Sequence, residues 1–246
     1  MAAAAPTGTA NWSAGNARFD KQAAAWDSKP ETIESSQAAY QALLKHVPPL
    51  SDPSEASSWS VLEIGCGTGL LSLQIAPHVN ELVGVDTSQG MIDMLTAKAL
   101  RDGLAQSGKV TAIKVLLEDA DDPVLQGKRF QLVISHLVFH HIPRMKDTIA
   151  VMARALAPGG MLIISDFEDD GPHARRFHPK DKHGGVERHG LLRAEMLQLL
   201  GDEAQRSGLK DVRVFESFAL EKMTAQEDGR ANKERYPFIF CMATKG

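Results

Sequence analysis

Short apolar runs alternating with amphipathic stretches predict an α/β fold built on a doubly wound, mostly parallel sheet. Three observations carry this reading. Val61 to Asp86 reads VLEIGCGTGLLSLQIAPHVNELVGVD. There an apolar run (Val61, Leu62, Ile64) meets glycines at 65, 67 and 69, and Leu70, Leu71, Leu73 and Ile75 resume at helical spacing. A second run, Leu82 to Val85, then ends on an acid, Asp86. Further along, FQLVIS is a near-continuous apolar run of the kind a sheet covered on both faces demands, and VTAIKV and MLIISDF read as strands beside it. Between the runs lie helical stripes, Met91, Met94, Leu95 and Ala99, then Met145, Ile149, Met152 and Leu156.

At 246 residues the chain is long enough for one large α/β domain with elaborations. Lys plus Arg against Asp plus Glu is 27 − 31 = −4, with no basic run to track a phosphate backbone, so nucleic acid is excluded as a partner. Cys66 and Cys241 stand far apart, which makes no disulfide framework and suits a reducing compartment. The first residues lack the basic start and leucine-rich segment of a secretory signal, and no apolar run approaches the roughly 18 residues of a membrane span. The expectation is a soluble, cytoplasmic protein, monomer or homodimer, with no membrane association.

Taken in order, residues 1–16 are mostly Ala, Thr, Gly, Ser and Asn, a composition expected to form a loose tail ahead of a domain at 17–246. Phe19, Ala23 and Trp26 share one helical face. After Pro30 a second stripe follows (Ile33, Tyr40, Leu44, Val47), and a polar link, PPLSDPSEASS, closes a cap over 17–58. In the glycine turn, alternate glycines permit positive φ and leave room for a ligand, and the helix predicted after it offers unpaired N–H groups. Asp86 comes 21 positions after Gly65, where a βαβ unit places a carboxylate against a ribose diol. Ser88 is the expected N-cap of a helix to Arg101. The fourth strand ends in SHLVFHHIP, and ligands of open α/β sheets lie beyond such strand ends, so Ser135, His136 and Leu137 are expected at the reacting centre. Asp166 and Phe167 occupy the next strand end. Residues 167–190 are polar and glycine-bearing, with His173, His178, His183 and His189. A closing helix over LLRAEMLQLLGDEAQRSG precedes two strands, DVRVFESFAL and YPFIFCMATKG, joined by a charged segment containing TAQEDGRANKER. No internal repeat is present.

The turn itself reads acid-x-Gly-x-Gly-x-Gly, with Glu63 two residues before Gly65, whereas a dinucleotide fingerprint needs glycine at position 70, which is Leu. This resembles the class I S-adenosylmethionine-dependent methyltransferases, as does the turn LAPGGMLIISD. The stretches FHPKDKHGGVERHGLLRAEMLQLL and SGLKDVRVFESFALEK are similar to the UbiE-like small-molecule group, and the resemblance covers about residues 19 to 243. It implies a Rossmann-like seven-stranded sheet in the order 3-2-1-4-5-7-6 with the last strand antiparallel. The implied cofactor is S-adenosyl-L-methionine, with S-adenosyl-L-homocysteine as product. Gly65 and Gly67 would pass the methionine part, Glu63 orient its charged end, and Asp86 with Thr87 hold the ribose. Met91 would rest on the adenine, Asp119 and Ala120 would meet its edge, and Ser135 would complete the cofactor set. The N-terminal cap would close over the cofactor with Trp26 as lid aromatic, and Phe167, His178 and His183 would belong to a substrate lid.

Transfer of a methyl group from a sulfonium by in-line displacement requires the acceptor about 3 Å away, water excluded, and the acceptor's proton removed. Imidazole suits the last task near neutral pH, which makes His136, directly after the fourth strand, and then His140 the candidate general bases, while the resemblance implies that an HHI sequence such as His140–His141 can instead pin the loop. His136 stands where small polar residues are common in the group. His136, His140, His178 and His183 show no compact metal spacing, so no metal is assigned. Arg175 and Arg176 are candidates for receiving a substrate carboxylate, but on an acidic-flanked loop they are expected to pair with neighbours such as Asp169 and Asp170. The function implied is methyl transfer to an O, S or N nucleophile of a small molecule. The competing readings are a non-catalytic cofactor-binding partner protein and a metal-assisted thiol or catechol methyltransferase. A nicotinamide oxidoreductase is disfavoured by Glu63 and Leu70.

Overall fold

The computed structural model describes residues 9–225 and 231–246. Four helices come first: α1 (Thr9–Trp26), α2 (Pro30–His46) and the single turns α3 (Pro48–Ser51) and α4 (Pro53–Ala56). The alternating part follows with β1 (Ser60–Ile64), α5 (Ser72–Ile75), β2 (Glu81–Asp86), α6 (Gln89–Arg101), β3 (Val110–Lys114), β4 (Phe130–His136), α7 (Met145–Ala155) and β5 (Leu156–Phe167). It closes with α8 (Arg193–Ser207), β6 (Leu209–Ala225) and β7 (Ala231–Lys245). The strands form one sheet in the order β3-β2-β1-β4-β5-β7-β6. The first five run parallel, and β7 is antiparallel to both β5 and β6. This is the order that the resemblance implied.

Residue parity along the strands decides which layer each side chain enters, because successive Cβ atoms point to opposite faces. Leu62, Val83, Val133, Leu162 and Ile164 pack on one face with α7 and α8 through Ile149, Met152, Met196 and Leu200. Val61, Leu82, Leu132, Ile134 and Ile163 pack on the other with α2 and α6 through Leu43, Ile92 and Leu95. The fully apolar runs of the sequence therefore serve two cores at once. The register sets Leu62 beside both Val83 and Val133, so β1 is central, and its loop at Gly65 opens at the switch point between β2 and β4.

Three local expectations change. The helix after the glycine turn is the single turn α5, followed by a 3₁₀ turn at Ala76–His78. Pro77 donates no N–H, and the chain must already enter β2 at Glu81. At the N-terminus, α1 begins at Thr9, inside the stretch read as a tail, while residues 1–8 lie outside the described residues. The charged segment near the C-terminus is largely strand. Leu220 pairs with Tyr236, Lys222 with Glu234 and Ala225 with Ala231, so the β6–β7 hairpin runs on past the end of β5 as an arm that packs Leu220 and Tyr236 against Phe177. Residues 226–230 of that segment lie outside the described residues. Polar contacts hold the arm. Glu234 accepts from Arg176 Nε (3.0 Å), Thr224 Oγ1 and Tyr236 Oη (2.9 Å), and Lys222 Nζ donates to the Phe177 carbonyl at 2.9 Å. Arg176 thus pairs across to the arm rather than with Asp169 or Asp170. Among the described residues no helix is long and apolar enough to cross a membrane.

Candidate active site

The glycine turn is shaped from both sides. Gly65 has φ +73°, and a Cβ there would meet Val138 Cγ2 at 2.4 Å, so the turn closes only with glycine. A Cβ on Gly67 would meet nothing within 4 Å, because it faces the open end of a cavity of ≈ 520 Å³. Asp86, at the tip of β2, ties this loop to the next helix. Its Oδ2 accepts the Gly67 N–H at 2.9 Å and its Oδ1 accepts the Ser88 N–H at 2.8 Å. Ser88 Oγ in turn caps α6 through the Met91 N–H.

Glu63 lies beside the turn, buried, and among the described residues Ser72 Oγ donates to its carboxylate. Burial pushes its carboxyl up to about 8, with Asp86 adding a like charge nearby. A buried acid with no cationic partner among the described residues, next to a cradle lined by glycine, fits the charged amino end of an S-adenosylmethionine molecule. Asp86 and Thr87 on one wall, and Met91 with Leu117 on another, fit its ribose and adenine. These are the residues at this end of the cavity that would hold such a cofactor.

The other end of the same cavity is lined by His136, Leu137, His140, His141 and His178. Leu137 is a bulky residue held at φ 56°, a left-handed conformation kept in place by its N–H bond to the Ser165 carbonyl at 2.8 Å. His140 is buried against Asp166. Its Nδ1 lies 2.9 and 3.0 Å from the two carboxylate oxygens, and its backbone N–H donates to Oδ2 at 3.0 Å. The Phe167 N–H adds a further bond to Oδ1 at 2.9 Å. Burial raises Asp166 to about 6 and lowers His140 to about 3. At neutral pH the carboxylate is therefore ionised and the imidazole neutral. The carboxylate fixes the proton on Nδ1 and leaves the Nε2 lone pair, which has no hydrogen-bond partner among the described residues. His136 differs. Its Nδ1 faces Ser165 Oγ at 3.0 Å with no carboxylate in contact, its Nε2 is also unpartnered, and burial lowers it to about 4.

Of the residues singled out in the sequence, Glu63, Gly65, Gly67, Asp86, Thr87, Met91, Trp26, His136, His140 and His178 line this one cavity. Five do not. Asp119 points outward, 61 % exposed and paired with Arg154, and Ala120 is buried in the core with Leu117 and Leu125. The cavity opens directly off the end of β3, so Val115, Leu116 and Leu117 line it before the chain reaches Asp119. Ser135 Oγ donates to the Ile64 carbonyl at 2.8 Å, tying β4 to β1 beneath the site. Phe167 is fully buried and stacks on Phe177 at 4.1 Å, forming a floor rather than a lid. His183 donates from Nε2 to the His178 carbonyl at 2.9 Å and so shapes the lid loop without entering the cavity. His141 has the pinning role, with Nδ1 2.9 Å from the Gly185 carbonyl. Among the described residues no group of three or more His, Cys, Asp or Glu side chains is placed to hold a metal ion.

Periodicity gave no sign of how α1 is fastened. Thr87 Oγ1 donates to Asn16 at 2.6 Å, Asp20 Oδ1 accepts from Ser88 Oγ (2.6 Å) and the Gly90 N–H (2.9 Å), and Asp27 takes Thr68 Oγ1 and the Lys98 ammonium. These bonds lay α1 along the cofactor end of the cavity. Lys222 enters the lining from the hairpin arm, which only the tertiary fold could bring there.

Residues 62–164 match the family model of a methyltransferase domain. An uncharacterized methyltransferase of Schizosaccharomyces pombe is 29% identical over 140 residues, covering 54% of this chain and 48% of its own length. A ubiquinone biosynthesis O-methyltransferase of Coxiella burnetii is 32% identical over 105 residues, covering 43% and 42%. The match thus spans less than half the length of either relative. Among solved structures, magnesium protoporphyrin IX methyltransferase from Synechocystis with bound S-adenosylhomocysteine superposes with a TM-score of 0.64 at 18% identity, over 96% of this chain and 100% of that one. The glycine turn flanked by Glu63 and Asp86, the strand order and these matches together make the chain similar to the class I S-adenosylmethionine-dependent methyltransferases, with a methyltransferase-domain match over residues 62–164.

Proposed function

We propose that the protein methylates an ionisable O–H, S–H or N–H group of a small molecule, with His140 as general base and Asp166 as its positioning residue. When bound, S-adenosylmethionine supplies the methyl group and its own leaving group. The chain supplies the rest. Glu63, Asp86 and the Gly65–Gly67 backbone hold one end of the cavity, Leu137 and Phe177 keep water from the other, and His140 Nε2 receives the acceptor's proton as Asp166 balances the imidazolium that forms. What supports this reading is a single cavity that joins the acid-and-glycine end to a carboxylate-braced imidazole. His136, braced by a hydroxyl alone, is the second residue within reach of an acceptor. The testing experiment is calorimetry with S-adenosylhomocysteine, followed by transfer of labelled methyl to a panel of phenols, thiols, amines and carboxylic acids. No binding by a folded sample would remove the reading. Binding with no transfer to any class would favour the partner-protein alternative.

Glu63 adds a prediction about protons. Its folded-state value of about 8 lies above the ordinary 4.5, so the stability it contributes is complete below about pH 4.5 and is lost as pH rises through 8. A ligand amine beside it reverses the preference and draws the proton off. At pH 7 binding of S-adenosylhomocysteine is expected to release up to about 0.9 proton from this group, since a value one unit above the pH leaves it about nine-tenths protonated beforehand. Heats measured in phosphate and in Tris would then differ in proportion, and Glu63→Gln would erase the difference. Identical heats in the two buffers would refute the assignment.

A further inference from the structure

The substrate end of the cavity carries a charge pattern that proton transfer does not explain. Four cationic side chains reach its lining from four separate places: Arg18 on α1, Lys29 ahead of α2, Lys182 in the lid and Lys222 on the hairpin arm. Among the described residues none of the four forms an ion pair with a carboxylate. Their contacts are neutral instead. Lys29 Nζ donates to Gln22 Oε1 at 3.2 Å and lies 4.0 Å from the Trp26 ring centre. Lys222 donates to the Phe177 carbonyl and lies 4.9 Å from that ring's centre. Arg18 donates through Nη2 to the Gly185 carbonyl at 3.3 Å, and its buried Nε has no hydrogen-bond partner.

Gly185 makes this placement of Arg18 possible. A Cβ there would lie 2.0 Å from Arg18 Nη1, so only glycine lets the guanidinium lie against the lid. Burial, and then the neighbouring Lys182, lower Lys29. Burial also lowers Lys222, with Lys182 pushing the same way, so the cations are close enough to repel one another. Glu31 and Glu187 are the carboxylates lining this end, and Glu31 acts favourably on both lysines. Four positive groups against two negative still leave an excess. The walls between the charges are the aromatic faces of Phe19, Trp26 and Phe177.

We propose that this end of the cavity is an oxyanion subsite, and that the methyl acceptor is an anionic molecule whose carboxylate is held by Arg18, Lys29, Lys182 and Lys222 while its nucleophile faces His140. The proposal rests on the methyltransferase reading and adds the acceptor's class to it. Half-buried cations in excess of the carboxylates around them gain most from an incoming anion, and the aromatic walls suit a planar body between its carboxylate and its nucleophile.

The test uses the full-length protein saturated with S-adenosylhomocysteine. Binding of hydroxylated aromatic and aliphatic carboxylic acids is measured by calorimetry against the matching neutral amides, with inorganic phosphate as a further arm. At least one acid is expected to bind ten-fold or more tightly than its amide. In the double variant Lys29→Met, Lys222→Met that ratio is expected to fall to about one, with S-adenosylhomocysteine affinity unchanged. Gly185→Ala, which displaces Arg18, is expected to reduce the ratio in part. Acids and amides binding alike, no acid binding at millimolar concentration, phosphate outcompeting every acid, or a ratio unchanged in the double variant would each overturn the proposal. Failure of S-adenosylhomocysteine itself to bind would instead strike the methyltransferase reading.

Discussion

Asp86→Ala is expected to lower S-adenosylhomocysteine affinity about 100-fold or more, read by calorimetry on a sample whose melting curve remains cooperative. Hydrogen bonds to a charged group contribute about 1.5–3 kcal/mol each, and each 1.4 kcal/mol is about ten-fold, so losing the acceptor for a diol pair reaches this scale. Part of the loss is indirect. The carboxylate also receives the Gly67 and Ser88 N–H groups, so its removal frees the glycine turn and the start of α6 together. Asp86→Asn separates the two contributions. It keeps one carbonyl acceptor and the side-chain shape, and its expected cost is about ten-fold. An alanine variant that binds as the parent does would show that Asp86 shapes the loop without touching ligand.

His140→Gln is expected to lower the turnover number by about 10²–10⁴-fold while leaving S-adenosylhomocysteine affinity within two-fold. Glutamine is preferred to alanine because its amide still donates to Asp166, and a buried carboxylate stripped of its partner costs about 3–5 kcal/mol of stability. Asp166→Asn tests the same pair from the other side, since an amide no longer fixes the proton on Nδ1 or balances an imidazolium. For the unaltered protein, turnover is expected to fall as pH drops through about 6, where Asp166 takes up a proton, and to hold level from there toward neutrality because His140 is already neutral. Asp166→Asn removes that inflection. If His136→Gln proves the more damaging substitution and His140→Gln the milder, the base assignment passes to His136.

The parts of this site that sequence made legible are those where local chemistry and local backbone coincide. A glycine turn after a short apolar run, an acid 21 positions on, and histidines at a strand end are each read without knowing the fold. Asp119 and Ala120 failed for a geometric reason. The cavity meets β3 at its last residue, so the three residues after Lys114 form the wall, and the acid lies one turn too far along the chain. The hairpin arm failed because its residues are satisfied by hydrogen bonds to one another and to Arg176, leaving no alternating apolar face to betray a strand. Asp166 was visible as a strand end, but its grip on His140 joins residues 26 apart and belongs to tertiary structure alone.

The fastening of α1 has a kinetic meaning. One wall of the cofactor chamber is a helix held by hydroxyls and carboxylates, each bond trading against solvent for about 1 kcal/mol net, whereas the strands beneath are held by interior carbon on both faces. Detachment of that helix is therefore a far cheaper excursion than opening of the sheet. Under the proposed function, such an excursion would open a way out for spent nucleoside while the rest of the scaffold stays whole.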